Sequence, residues 1–326
     1  MKIQNNRTKT ATTIIAALLI GLVLISPTTM IPNVNALAGS TTMPKPIVNW
    51  LASHPHFAGC VTGNLKTEKI KEVPCIQSHT QPMSFSWSHN LDCSSRCLAG
   101  GEFNEYSSYD RITGDTNIGS QPSSAQTGSA FAYWSGLTNC SGSGSSVPSC
   151  PTASLLVQSG WLYNATSGGS INGPFMFTEI WGNFEYGGVY CDNTFCGSSI
   201  AEPSGDSIST ANYADVLDSE WVAYATDNYD FDYTSTIIPF SDAGHSNSLP
   251  YPVISLEAID APNINYFPSS SISFSNVSLY IPNTGMVDAD TNYMQGYYGP
   301  TVSSGGIPMT FDATGTTTAT VTNSWS

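Results

Sequence analysis

Three apolar runs in this chain each carry one polar side chain able to move a proton or polarise a carbonyl. They are Leu155-Leu156-Val157-Gln158-Ser159-Gly160-Trp161, Phe175-Met176-Phe177-Thr178-Glu179-Ile180-Trp181 and Val253-Ile254-Ser255-Leu256-Glu257-Ala258-Ile259. In a strand, successive side chains alternate between faces. Glu179 then shares a face with Phe175, Phe177 and Trp181. Gln158 shares one with Leu156, Gly160 and Leu162, and Glu257 with Val253, Ser255 and Ile259. Both faces of each run are apolar, which marks central strands rather than half-exposed ones. A buried Gln or Glu without a hydrogen-bond partner is costly, so the three together predict a shared polar site. A carboxylate there can serve as general base and acid, and a carboxamide can donate an N–H to a developing oxyanion.

Other hydrolytic machinery is missing from the sequence. Four of the five histidines precede residue 90, so a Ser-His-Asp arrangement would rest on His245 alone. There is no HExxH, no GxSxG and no phosphate-binding glycine loop. His54-Pro-His56 offers only two ligands on a loop. Asp227-x-x-Asp230-x-Asp232 resembles a calcium-binding acidic loop but lacks the EF-hand spacing and glycine, and it reads as a solvated acidic turn. No metal and no cofactor is expected for the reaction.

The elements that must position these residues are strands. Short runs rich in Val, Ile, Thr, Tyr, Phe and Trp alternate with Gly, Pro, Asn and Ser clusters from about residue 100 onward. Besides the three runs above, strands are expected over Asp206–Val216, Glu220–Thr226, Tyr233–Phe240, Ser271–Ile281 and Thr316–Trp325. Good surface helix formers are scarce. No period of 20 to 50 residues repeats, which excludes solenoids and propellers. The pattern predicts an all-β antiparallel sandwich.

Composition points to the environment. From Ile112 to Ser326 there is no lysine or arginine, against eighteen Asp and Glu and one histidine. Such a stretch repels itself at neutral pH and relaxes as its carboxylates take up protons, which predicts adaptation to acid. The N-terminus reads as a secretory signal: Lys2, Arg7 and Lys9, then an apolar run over Ala11–Ile25, then Ala36-Leu37-Ala38 as a small-x-small cleavage site. Removal of residues 1–38 leaves six basic and 24 acidic residues, a net charge of 6 − 24 = −18. The eight cysteines fall in close pairs, Cys60 and Cys75, Cys93 and Cys97, Cys140 and Cys150, Cys191 and Cys196. In an exported protein this predicts disulfides, paired sequentially. Asn139, Asn164 and Asn276 head glycosylation sequons. Residues 39–99 differ in composition, holding the cluster Lys66, Lys69 and Lys71, and are expected to form an N-terminal segment or propeptide before a main domain over 100–326.

Over roughly residues 100–326 the chain resembles the glutamic peptidases of the eqolisin family. The resemblance rests on five segments in order: Ala132-Tyr133-Trp134-Ser135-Gly136, Val157-Gln158-Ser159-Gly160, Phe177-Thr178-Glu179-Ile180-Trp181, Gly205-Asp206-Ser207-Ile208 and Ile254-Ser255-Leu256-Glu257-Ala258. It implies a ConA-like sandwich of two roughly seven-stranded antiparallel sheets. It also implies an acid-active endopeptidase whose catalytic dyad is Gln158 and Glu257. Trp134, Glu179, Phe177 and Trp181 would line the substrate cleft. Three features depart from the family: Thr138 stands where a cleft Asp is found, Phe177 replaces a Trp, and the insertion Tyr186–Glu202 is longer than the usual loop. The plant neprosin family uses two glutamates, and Gln158 fits it less well. The implied protein is a secreted monomer acting on protein or peptide substrates, with no nucleic-acid partner and no membrane association after signal cleavage. The competing readings are a non-catalytic ConA-like glycan-binding or surface protein, and a degenerate peptidase.

Overall fold

The fold was analysed in a computed structural model that describes residues 44–55, 57–77, 96–140, 155–165, 169–182, 196–245, 247–259, 264–268, 271–289, 294–297, 309–315 and 318–325. The expected signal segment and Cys93, Cys150 and Cys191 lie outside these residues. In chain order the strands are β1 (Gly59–Asn64), β2 (Lys69–Val73), β3 (Ile76–Gln77), β4 (Arg96–Phe103), β5 (Arg111–Asn117) and β6 (Ala130–Thr138). They continue as β7 (Leu155–Ala165), β8 (Ile171–Gly182), β9 (Cys196–Ala201), β10 (Ser207–Asp215), β11 (Glu220–Asp227) and β12 (Asp232–Pro239). The last six are β13 (Tyr251–Ile259), β14 (Ile272–Ile281), β15 (Gly285–Val287), β16 (Met294–Tyr297), β17 (Met309–Gly315) and β18 (Ala319–Trp325). Each run expected from the sequence is a strand within a few residues of its expected ends. No helix among the described residues is long and apolar enough to cross a membrane.

All pairings between these strands are antiparallel, and they build two sheets. The front sheet runs β16-β4-β13-β6-β7-β8-β9-β3. The back sheet runs β17-β18-β14-β5-β10-β11-β12-β1-β2, with β15 added on β14. The sheets therefore hold eight and ten strands rather than about seven each. Much of the surplus comes from the ends of the chain: β1 and β2 extend the back sheet from β12, and β17 and β18 extend it from β14.

Alternation explains the core. Phe131, Tyr133, Val157, Trp161, Met176, Ile180, Ile254 and Leu256 point inward from the front sheet and are buried. They meet Ile112, Ile208, Trp221, Ala223, Phe274 and Val321 from the back sheet. This is a β-sandwich closed by two inner apolar faces. A short helix, α1 (Lys45–Ala52), follows Pro44 at its N-cap, carries Pro46 in its first turn and buries Ile47 and Leu51. These join Val61, Tyr213, Val222, Tyr224, Tyr233 and Ile237 in a second apolar cluster on the outer face of the back sheet. Residues 43–326 behave as one contact unit. Cys60 and Cys75 form a disulfide, as sequential pairing expects, with Cα atoms 5.1 Å apart.

Candidate active site

The outer face of the front sheet carries the residues singled out above. Four neighbouring strands supply them: Glu257 on β13, Trp134 on β6, Gln158 on β7, and Phe177, Glu179 and Trp181 on β8. The register sets them in transverse rows. Glu102, Val253, Gly136, Gln158, Glu179 and Gly197 lie side by side in one row. Gly100, Ser255, Trp134, Gly160, Phe177 and Ser199 form the next. Glu257, Ala132, Leu162, Phe175 and Ala201 form the third. Gln158 and Glu257 thus stand two rows apart on strands separated by β6, with Trp134 in the row between.

Glycine makes room for that indole. A Cβ on Gly160 would lie 2.7 Å from Trp134 Cα and 2.9 Å from its Cβ. Any larger residue would push Trp134 off its row. Trp134, Leu156, Phe177 and Val253 pack together on this face, with Ala132, Leu162, Trp181 and Tyr251 against them.

Two hydrogen bonds organise the polar groups. Gln158 Nε2 donates to Glu179 Oε2 at 2.6 Å, and Trp134 Nε1 donates to Glu257 Oε2 at 3.3 Å. Gln158 and Glu257 are 2% and 3% exposed, whereas Glu179 and Trp181 are half-buried. Inside the sheet each bond is stronger than it would be in water. The carboxamide of Gln158 has a buried Oε1 without a hydrogen-bond partner. The amide orientation follows from the bond to Glu179, which can only accept when ionised.

The inward-facing neighbours of these residues are pinned to the back sheet. Ser135, between Trp134 and Gly136, meets Thr210 Oγ1 at 2.9 Å through its hydroxyl. Ser159, after Gln158, donates to Asn212 Oδ1 at 3.1 Å. Asn212 Nδ2 donates back to the Ser135 carbonyl at 2.9 Å and to Ser135 Oγ at 3.2 Å. Thr178, before Glu179, meets Thr236 Oγ1 at 2.9 Å. This polar seam fixes β6, β7 and β8 from beneath. Three small hydroxyl residues interrupting apolar runs were the available sequence signal for it.

Thr138 donates from Oγ1 to the Leu155 carbonyl at 2.9 Å and accepts from the Cys140 N–H at 3.1 Å, so it anchors the β6–β7 connection. Asn139 is buried, accepts from the Leu155 N–H at 2.8 Å and faces His245 Nε2 at 3.2 Å. That burial removes Asn139 as a glycan acceptor, whereas Asn276 is exposed. The insertion expected as a loop over Tyr186–Glu202 contains β9, whose Gly197 pairs with Glu179. Glu102, which sequence reasoning passed over, is 1% exposed and shares the row of Gln158. The acidic turn after β11 is solvated at Asp230, but Asp227 is 0% exposed, contrary to the expectation of a fully solvated turn.

Among solved structures, the chain is similar to scytalidoglutamic peptidase with a peptide-based transition-state analogue, at 15% identity and a TM-score of 0.44, covering 70% of this chain and 98% of that one. A second structure of that peptidase with a transition-state analogue inhibitor matches at 17% identity and a TM-score of 0.45, with the same coverage. SCP-B, a member of the eqolisin family in complex with the tripeptide Ala-Ile-His, matches at 15% identity and a TM-score of 0.42, covering 70% of this chain and 98% of that one. No family model matches the chain, and no curated protein does.

Proposed function

We propose that this protein is a secreted endopeptidase, active in acid, that uses Glu257 and Gln158 to drive water against a peptide carbonyl. The observation that carries the reading is the pair of hydrogen bonds on one sheet face, Trp134 to Glu257 and Gln158 to Glu179. A carboxylate and a carboxamide are each held there by a neutral or acidic neighbour, with no histidine in either bond. Such a set keeps its function where an imidazole would be permanently protonated. The lysine- and arginine-free stretch from Ile112 onward supports the acid setting.

In this reading Glu257 takes a proton from water as the water oxygen attacks the carbonyl carbon. The oxygen of that carbonyl gathers negative charge and accepts from the Gln158 N–H. Glu257 then returns the proton to the departing amine nitrogen, and the C–N bond breaks. Trp134 holds one carboxylate oxygen of Glu257, and Glu179 orients the Gln158 amide. The substrate carbonyl would lie over Trp134, between the two groups. Trp181, half-buried over the buried Phe177, offers apolar surface to substrate side chains.

The test is cleavage of a denatured protein at acid pH by the secreted chain, in the presence of pepstatin, a chelator and a serine-directed inhibitor. Glu257→Gln and Gln158→Ala should each lower turnover by at least about 100-fold. Full activity in Glu257→Gln overturns the assignment. Binding to glycans without cleavage by the wild type would favour the lectin-like alternative, for which the partly exposed rings of Trp181 and Tyr251 are the supporting feature.

A further inference from the structure

We propose that Glu202, Asp206 and Asp227 form a calcium site that ties the turn between β9 and β10 to the end of β11. One carboxylate oxygen from each residue lies within 4.8 Å of the other two. Glu202 is 6% exposed and Asp227 0%. Glu202 Oε1, Asp206 Oδ2 and Asp227 Oδ2 are all buried without a hydrogen-bond partner. The charges acting most strongly on Glu202 are further carboxylates, Asp227, Asp232, Asp206 and Asp230. Burying ionised carboxylates side by side is expensive unless a counter-charge joins them. A hard cation with oxygen ligands is the group that fits.

Local geometry aims the site. Asp227 Oδ1 accepts from the N–H groups of Tyr229 at 2.6 Å and Asp230 at 2.7 Å. That fixes the carboxylate and leaves Oδ2 for the cluster. Glu202 and Asp206 flank a turn at Pro203–Gly205, closed by the Asp206 N–H to the Pro203 carbonyl and tied to Ile118 through the Gly205 N–H. Calcium–oxygen distances of about 2.3–2.6 Å allow two ligands to stand up to about 5 Å apart, so the three oxygens can share one calcium as placed. Magnesium, at about 2.0–2.1 Å, allows only about 4 Å and demands stricter geometry. Of the acidic motif seen in the sequence, only Asp227 belongs to the cluster; the other two ligands come from the far side of β10. The site bridges the front and back sheets next to the end of β9, which flanks β8.

The full chain should bind one calcium ion per molecule in a calorimetric titration at neutral pH. Saturating calcium chloride should raise its melting temperature by about 5 °C or more at a hundredfold excess over Kd, relative to sodium chloride of equal ionic strength. Asp227→Asn keeps an acceptor for the Tyr229 and Asp230 N–H groups and should abolish the shift, as should Glu202→Gln. Asp218→Asn, an exposed acid outside the cluster, should retain it. Absence of the shift in the wild type overturns the site. So does a shift of wild-type size in the Asp227→Asn variant. The readout is independent of peptidase activity.

Discussion

At the residue scale, the telling arrangement is two separate hydrogen bonds on one sheet face, Gln158 to Glu179 and Trp134 to Glu257, neither of them to a histidine. Trp134 is central to that arrangement, because its indole occupies the row between Gln158 and Glu257 and reaches the latter. Trp134→Phe keeps most of the ring's packing and removes the N–H. A hydrogen bond to a charged group is worth about 1.5–3 kcal/mol, so kcat in the peptidase assay should fall by about 10-fold or more. KM should change little, because the lost bond holds the proposed general base and not the substrate. A variant with wild-type kcat would show that Glu257 does not need this donor. Thr138 supplies no carboxylate to the face and instead holds the strand connection. An active wild type would then show that the dyad works without an acid at that position.

At the element scale, the site depends on how β6, β7 and β8 are held against the back sheet. Asn212 is 0% exposed and makes three hydrogen bonds, one from Ser159 and two to Ser135. Asn212→Ala leaves those groups buried and unsatisfied, at about 1–3 kcal/mol for each orphaned group. The melting temperature should fall by about 2–4 °C for each kcal/mol lost. Asn212→Asp, which keeps the acceptor but sets a buried carboxylate against the Ser135 carbonyl, should lose at least as much as alanine at neutral pH. Equal stability of all three chains would mean that the seam contributes nothing. Residues 59–77 are strands of the same two sheets, through β1 on β12 and β3 on β9, and β4 neighbours the strand that carries Glu257.

At the scale of the whole molecule, the shortage of cations shows at the buried Glu220, whose charged neighbours are carboxylates. Burial, and then Asp218 and Asp215, push the Glu220 carboxyl from 4.5 to about 8. Burial likewise raises Asp110 and Asp215, against the opposing pull of Arg111. Arg111, the last basic residue in the sequence, lies between the rings of Tyr213 and Tyr280. A carboxyl whose folded pKa exceeds its unfolded value favours folding while it stays protonated. That stability is complete below the unfolded pKa and drains away as pH rises toward the folded one. For Glu220 the window runs from 4.5 to about 8. The melting temperature should therefore fall as pH rises across that window in calcium-free buffer, and Glu220→Gln should flatten the decline. A melting temperature that climbs from acid to neutral pH would contradict this assignment and the acid adaptation with it.

Strand content, the face of each polar side chain and the apolar character of both faces of β7, β8 and β13 were legible in the sequence, because period-two alternation is a local property. Gln158, Glu179 and Glu257 could be singled out on that basis alone. The sequence could not order the strands, since pairing between segments a hundred residues apart is decided by packing and loop closure. Only the tertiary structure seats Glu179 beside Gln158, inserts β6 so that Trp134 meets Glu257, and brings Glu102 into the same row. The β10–β11 hairpin, with the turn that precedes β10, sets Glu202 and Asp206 near Asp227 and buries that one carboxylate, while residues 228–231 of the turn stay exposed.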